Sequence, residues 1–483
     1  MTVPELDAVI IGSGFGGLCA AVRLKQAGID NFVILEKDAQ FGGTWQVNTY
    51  PGCAVDIPSH MYSFSFAPNP NWTRRLASQA ELLDYTRAIV RDFGLAPHLR
   101  LGTAYEGAQF EEEGGYWRLR TSAGPLTAKC VVSALGAMNR AALPALPGME
   151  TFGGPSFHSS RWNHDVDLRG KRVAVIGNGA SAIQFVPQIA PIVAQLDVYQ
   201  RTAQWIVPRH DRAIGPRERS LLARLAPLRL LYRAFNYTIY EANAPLYLYL
   251  PRLFRLAHAV GLRHLHRQVA DPLLRRQLTP DYTMGCKRVL VMSDYYPALT
   301  RANVSLVTSA VAEVRANSIV GADGVERAVD VLIYATGFHV GHALGSIEVR
   351  GRGGKRLFEH DQDCYKGCAV AGFPNYFTVT GPNSGLGHNS MIYMIESSVN
   401  YVVEAIKAIR AQGLHSVDVK ADVQRDFVAT VHKKLRGTVW SSGCKSWYLD
   451  GRGRNYAVWP GFTFTYRWAT RRFDIENYDV VRA

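Results

Sequence analysis

Two stretches of the chain share one pattern: a short aliphatic run, a glycine turn, and then apolar residues at helical spacing. DAVIIGSGFGGLCAAVRLKQAG (7–28) is followed by a second aliphatic run, NFVILEKD (31–38). KRVAVIGNGASAIQFVPQIA (171–190) is followed by LDVYQRT (196–202). Fully apolar runs of this length predict buried parallel strands, and each set reads as the opening of a dinucleotide-binding βαβ unit. Gly12 and Gly177 are 165 positions apart, so the chain holds two such units. A third run, VDVLIYATGF, ends in a glycine turn at Phe338 and reads as the return crossing between them. PALPGMETFGG (144–154) is rich in Pro and Gly and reads as a linker. The expected fold class is α/β with two Rossmann-like dinucleotide-binding domains, the second inserted in the first. The expected boundaries are 1–142, 150–335 with a small helical insertion at about 208–280, and 338–483 with a C-terminal tail.

A chain of 483 residues is too long for one simple core, and 47% hydrophobic with 19% charged residues is an ordinary globular balance. No apolar run approaches the roughly 20 residues of a membrane span. The N-terminus runs almost at once into the first glycine turn, with no secretory pattern, so a cytoplasmic location is expected. The seven cysteines, Cys19, Cys53, Cys130, Cys286, Cys364, Cys368 and Cys444, are odd in number, scattered, and form no CxxC pair. That argues against a disulfide framework, a zinc ribbon or a dithiol centre, and all seven are expected to be buried as small apolar side chains. No metal site is expected. The net charge is +14, and Pro208 to Arg288 alone holds 15 Lys/Arg against 5 Asp/Glu. No zinc-finger or RNP-like pattern accompanies it, so no nucleic-acid partner is expected. The basic, aromatic stretch from Arg217 to Arg276 reads either as an insertion packed on its domain with solvated arginines or as a weak membrane-surface or substrate-access element.

Gly12, Gly14 and Gly17 form GxGxxG: the first permits the tight turn, the second the approach of a pyrophosphate, the third close packing of helix on strand. Glu36, beyond the second strand, suits the two hydroxyls of a ribose. Gly177, Gly179 and Ala182, with Ser181, form GxGxxA, but the second strand here ends in Arg201-Thr202 rather than an acid. A guanidinium pairs in bidentate fashion with a 2′-phosphate that a carboxylate would repel. One unit therefore suits FAD and the other NADPH, with hydride passing between them. The missing CxxC closes the thiol route for electrons, and no haem or iron–sulfur pattern is present, which leaves O2 as the acceptor.

Gly42-Gly43-Thr44-Trp45 through Tyr50-Pro51-Gly52 to Asp56 resembles one fingerprint of the Baeyer–Villiger monooxygenases, and Phe152, Gly154, His158 and Trp162 resemble the other. Trp162 favours this family over the related flavin-containing monooxygenases, whereas Asn163 departs from the Pro or Asp that usually follows. The resemblance implies that Thr44, Trp45 and Tyr62 line the FAD site and that Asp56 orients a basic residue. It further implies that Lys287 helps hold the 2′-phosphate and that Arg288 stands over the flavin. Gly387, His388 and Met391 would meet the flavin at the start of a long helix capped by Ser390 or Asn389. His158 and Trp162 resemble hinge positions, with a hydrogen-bonded histidine and simple packing as the plainer readings. Trp440, Trp447 and Trp459 resemble substrate-side aromatics, or are core. The function implied is conversion of a ketone to an ester or lactone with NADPH and O2, through a flavin C4a-peroxide. Oxygenation of a sulfide or amine, and a flavin-dependent NADPH oxidase without an organic substrate, stay open, as do the substrate's identity and the oligomeric state.

Overall fold

In the computed structural model, which describes residues 4–342, 344 and 347–482, the aliphatic runs become the centres of two sheets. The first is an eight-stranded sheet in which Leu6–Ile11 lies between Phe32–Leu35 and Leu126–Ser133, parallel to both. The strands Tyr376–Thr378 and Glu348–Arg350 join this same sheet from the far end of the chain. The second is five-stranded and parallel throughout, in the order Val304–Val307, Gln195–Tyr199, Arg172–Ile176, Val331–Tyr334, Ser156–His158. Strands buried on both faces are mostly apolar, and these are, with Asp197 a buried exception in the second sheet. The helix Phe15–Gln26 buries Leu18, Val22 and Leu24, and the 21-residue helix Met391–Ala411 lies against it with Val399, Val402 and Ile406 fully buried.

VDVLIYATGF does two things. Val331–Tyr334 completes the second sheet, and the turn after it leaves for the first. The outgoing and returning strands of chain run side by side there: Ala141 bridges Phe338, and the Ala142 amide donates to the Gly337 carbonyl at 2.8 Å. The segment read as a linker is partly packed, since Met149 and Phe152 join the core around Val314. The insertion consists of the helices Pro216–Arg224, Ala226–Glu241, Ala244–Leu248, Phe254–Gln268 and Pro272–Leu278. No described helix is long and apolar enough to cross a membrane.

The cysteine expectation needs correction. Cys19, Cys53, Cys130, Cys364 and Cys368 are buried thiols, but Cys286 and Cys444 form a disulfide across 158 positions. The tail folds back over the insertion, where Trp440 and Tyr448 pack with Tyr247 and Met284. Only that folding brings the two sulfurs together, so their spacing carried no signal.

Candidate active site

The first glycine turn is a cradle with no room for a side chain at Gly12 or Gly17. Gly12 adopts φ +99°, and a Cβ on Gly17 would stand 1.8 Å from the Gly12 carbonyl oxygen. A Cβ on Gly43 would stand 2.7 Å from the Cα of Gly14, so the Gly42-Gly43-Thr44-Trp45 turn rests directly on the glycine loop. The helix beginning after Gly14 has no side-chain cap, which leaves its first N–H groups for an anion. Glu36 is buried, with Oε2 accepting from the Ser13 amide (3.1 Å) and hydroxyl (2.5 Å) and Oε1 from the Asp38 amide (3.0 Å). Each carboxylate oxygen has more than one acceptor site, so a ribose could still be held. Thr44 is exposed, Trp45 is buried, and Tyr62 meets Trp45 edge-on at 5.5 Å and Phe15 at 5.4 Å. Burial pushes the Tyr62 hydroxyl up to about 12.

The second cradle repeats the geometry. Gly177 has φ +111°, a Cβ there would stand 2.3 Å from the Ala335 carbonyl oxygen, and Ala182 is fully buried. Gly179 faces open space and begins the Ala180–Ile189 helix without a side-chain cap. Asn178 ties the turn to the end of the next strand, donating to the Gln200 side chain and the Thr202 carbonyl, both at 2.8 Å. Arg201 is exposed at that end. Lys287 stands 4.4 Å over the Tyr282 ring, and burial lowers its pKa, Asp281 opposing and the charge of Arg201 adding to the effect. Two cations near enough to feel one another suit a doubly charged phosphate. The cradles touch through Gln184, a residue sequence reasoning missed: its Oε1 accepts from the Tyr50 hydroxyl (3.0 Å) and its Nε2 donates to the Ala54 carbonyl (2.9 Å). Ser181 also reaches the Tyr50 hydroxyl.

Between the cradles stands the pair that the sequence separates by 232 positions: Arg288 Nη2 donates to Asp56 Oδ2 at 2.5 Å. Burial pushes the Asp56 carboxyl up, but the charge and hydrogen bond of Arg288 outweigh it and hold the group below its ordinary value. The carboxylate in turn raises Arg288, which is a permanent cation. The two side chains keep 36% and 29% of their surface, so they line a recess that a small molecule can reach. Tyr62, Tyr247 and Tyr448 surround the guanidinium closely enough to be influenced by its charge. Tyr247 and Tyr448 were also missed, as was Arg209, whose charge reaches Asp56. They come from the insertion and the tail, where no motif marks them.

The long helix is capped by Ser390, whose Oγ accepts from the Ile392 amide (3.2 Å) and donates to the Met61 carbonyl (3.1 Å), next to Tyr62. Gly387 lies against Tyr247 and Trp440, where a Cβ would come within 3.1 Å of the Tyr247 ring. His388 is buried, its Nε2 3.5 Å from Glu241 Oε2. Glu241 itself accepts from Asn389 (2.5 Å) and from the Thr463 amide (2.6 Å) and hydroxyl (2.9 Å). Met391 packs with Leu386 and Tyr466. His158 is buried, its Nδ1 accepting from the Ser160 amide (3.1 Å) and its ring against Phe338, at the double crossing. Trp162 packs on Phe185 at 5.1 Å. Trp440 is buried against Tyr247, Trp459 packs on Tyr466, and Trp447 is exposed over Tyr448.

A family model described as pyridine nucleotide-disulphide oxidoreductase matches residues 9–241. A Baeyer–Villiger monooxygenase of Pseudomonas aeruginosa is 47% identical over 477 residues, covering 98% of this chain and 90% of the relative. The chain belongs to the Baeyer–Villiger monooxygenase family. A Streptomyces coelicolor member is 45% identical over 99% of this chain and 93% of its own. Among solved structures, an oxidized steroid monooxygenase bound to NADP superposes with a TM-score of 0.89 at 29% identity, covering all of both chains. OTEMO in complex with FAD and NADP gives 0.91 at 26% identity over 99% of this chain and all of that one. The α/β fold of Baeyer–Villiger monooxygenases is therefore the fold of this chain.

Proposed function

We propose that this chain is an FAD-dependent Baeyer–Villiger monooxygenase that consumes NADPH and O2 and converts a ketone to an ester or lactone. Ketone, O2, NADPH and a proton give ester, NADP+ and water. The observation that carries the reading is the Arg288–Asp56 pair, lining a reachable recess between two dinucleotide cradles. The residues fit both cofactors: each turn packs too closely for a side chain at Gly12, Gly17 and Gly177, leaves room at Gly14 and Gly179 for a pyrophosphate to approach, and opens an uncapped helix. When bound, FAD supplies electron transfer from NADPH to O2 and delivers the oxygen atom. Gly12, Gly14, Gly17, Glu36, Thr44, Trp45, Asp56 and Tyr62 would hold it, with Gly387, His388 and Met391 on the far side. Gly177, Gly179, Ser181, Ala182 and Thr202 would hold the NADPH backbone, and Arg201 and Lys287 its 2′-phosphate. Arg288 offers a fixed cation to negative charge that develops on the reacting oxygens, and Asp56 keeps its planar fork in place. The Tyr62 phenol stays protonated rather than ionising. The chain divides, on this reading, into residues 1–142 and 338–483 for FAD and 150–335 for NADPH.

The test is product analysis with purified, FAD-loaded enzyme, NADPH and air over a panel of ketones and sulfides. Esters or lactones retaining one atom of labelled O2 are expected. Hydrogen peroxide alone with every ketone would overturn the proposal, and sulfoxides alone would move it to heteroatom oxygenation.

A further inference from the structure

One helix of the insertion is built inside out. On the Ala226–Glu241 helix the solvent-facing positions include Leu230, Leu231, Phe235 and Ile239, and none of its exposed positions carries a charge. Leu231 and Phe235 are 66% and 60% exposed. The charged residues of the same helix turn inward. Arg233 donates to the carbonyls of His60 (2.6 Å) and Ser63 (2.9 Å), Arg229 to that of Leu222 (2.8 Å), and Glu241 is buried. Thr238, exposed on the apolar side, has its hydroxyl satisfied by the Ala234 carbonyl of its own helix. An amphipathic helix on a water-soluble surface shows the opposite arrangement.

The apolar face extends beyond that helix. Tyr237 bonds Thr463 at 2.8 Å, and Tyr249 and Phe464 both pack on Phe462, which joins the exposed Tyr249 and Phe464 to it. Among the described residues, 12 of the 22 large hydrophobic side chains left exposed fall between Leu221 and Leu273. Scattered exposure is ordinary, but concentration in one short stretch marks a contact surface.

Charge decides what the surface contacts. Residues 217–276 hold 11 arginines, no lysine and three carboxylates. All three carboxylates are engaged: Glu218 pairs with Arg212 (2.7 Å), Glu241 is buried, and Asp271 caps the Pro272–Leu278 helix. Arg217, Arg224, Arg252, Arg263 and Arg276 are exposed. A second copy docking through this face would bring two such positive surfaces together. A bilayer with anionic phosphate headgroups offers both an apolar interior for Leu231 and Phe235 and partners for guanidinium forks. We propose that the outer face of the helical insertion seats on an anionic lipid surface.

The test uses the FAD-loaded full chain in vesicle flotation. Leu230 and Ala234 wall a cleft of about 190 Å³ with Met61 and Ser390, so the variants avoid them. The double variant Leu231→Glu/Phe235→Glu changes only solvent-facing positions. Wild type is expected to float with phosphatidylcholine–phosphatidylglycerol vesicles and not with phosphatidylcholine alone, and to bind less as salt rises. The double variant should bind at least roughly tenfold more weakly, because two large apolar groups no longer leave water. It should keep the wild-type flavin content and melting temperature. Absence of flotation with anionic vesicles would overturn the proposal, as would equal flotation of the double variant. Concentration-dependent self-association of wild type, abolished in the double variant without any lipid binding, would assign the face to a second copy instead.

Discussion

Replacing Arg288 by Ala removes a cation whose partner and position are both defined. Its Nη2 stands 2.5 Å from Asp56 Oδ2, and 36% of the side chain is open to the recess. Hydride transfer from NADPH needs alignment of two cofactors that, on the proposed reading, other residues hold, so anaerobic flavin reduction should remain near the wild-type rate. Oxygen insertion places negative charge beside the flavin edge, and losing one preorganised donor there costs roughly two to three decades in rate, about 2.7–4 kcal/mol. Ester formation should fall by that factor while NADPH oxidation continues and yields hydrogen peroxide. A second effect must be separated from the first: the variant strands the Asp56 carboxylate, which would then rise in pKa and disturb the recess. The double variant Arg288→Ala/Asp56→Asn removes that charge. If the missing cation is the cause, it stays as inactive as Arg288→Ala; if the stranded carboxylate is the cause, ester formation returns. Arg288→Lys should recover little, since an ammonium lacks the planar fork that meets Asp56. Stopped-flow reduction and product analysis on the same preparations give both readings. Near-normal ester formation by Arg288→Ala would refute the reasoning.

Arg201→Ala should raise the KM for NADPH by roughly one to two decades, the loss of about 1.5–3 kcal/mol of charge-assisted bonding, and leave NADH use almost unchanged. Steady-state kinetics with both cofactors checks this, and equal weakening of the two would count against the 2′-phosphate role. Asp418, whose carboxylate accepts from the Gly372 amide at 2.9 Å, is pushed up to about 6 by burial. Its folded value lies above its unfolded one, so its contribution to stability is complete below about 4 and is lost as pH rises through about 6. Asp418→Asn should therefore be more stable than wild type at pH 8, by roughly 1–3 kcal/mol in chemical denaturation, and the gap should narrow at pH 5; a gap independent of pH would contradict the assignment. Cys444→Ser should melt below wild type in the absence of reductant and level with reduced wild type, because the bond closes a loop of 158 positions worth up to roughly 5 kcal/mol of chain entropy. A non-reducing peptide map that fails to join the two cysteine peptides would remove the basis for that expectation.

The sequence by itself determined the parts of this protein that follow from local chemistry. A buried parallel strand needs a mostly apolar run. A cradle that excludes side chains needs glycine at Gly12, Gly17 and Gly177, where neighbouring carbonyls stand within 1.8–2.7 Å of any added Cβ. The places of Glu36 and Arg201 were legible for the same reason, each lying just past the end of a strand whose direction the pattern gives. The Gly42–Asp56 motif and Lys287-Arg288 could be read only as resemblances, because a motif names its residues without saying what they face. Tertiary structure decided what depends on distant segments meeting. It joined Arg288 to Asp56, enclosed them with Tyr247 and Tyr448 from the insertion and the tail, and closed Cys286 on Cys444. It also chose which side of the Ala226–Glu241 helix faces water, and this the helical period could not fix. The charges of Arg233 and Glu241 on that helix are taken up by carbonyls at His60 and Ser63 and by Asn389 and Thr463, more than a hundred positions away along the chain, and its apolar side is left outside.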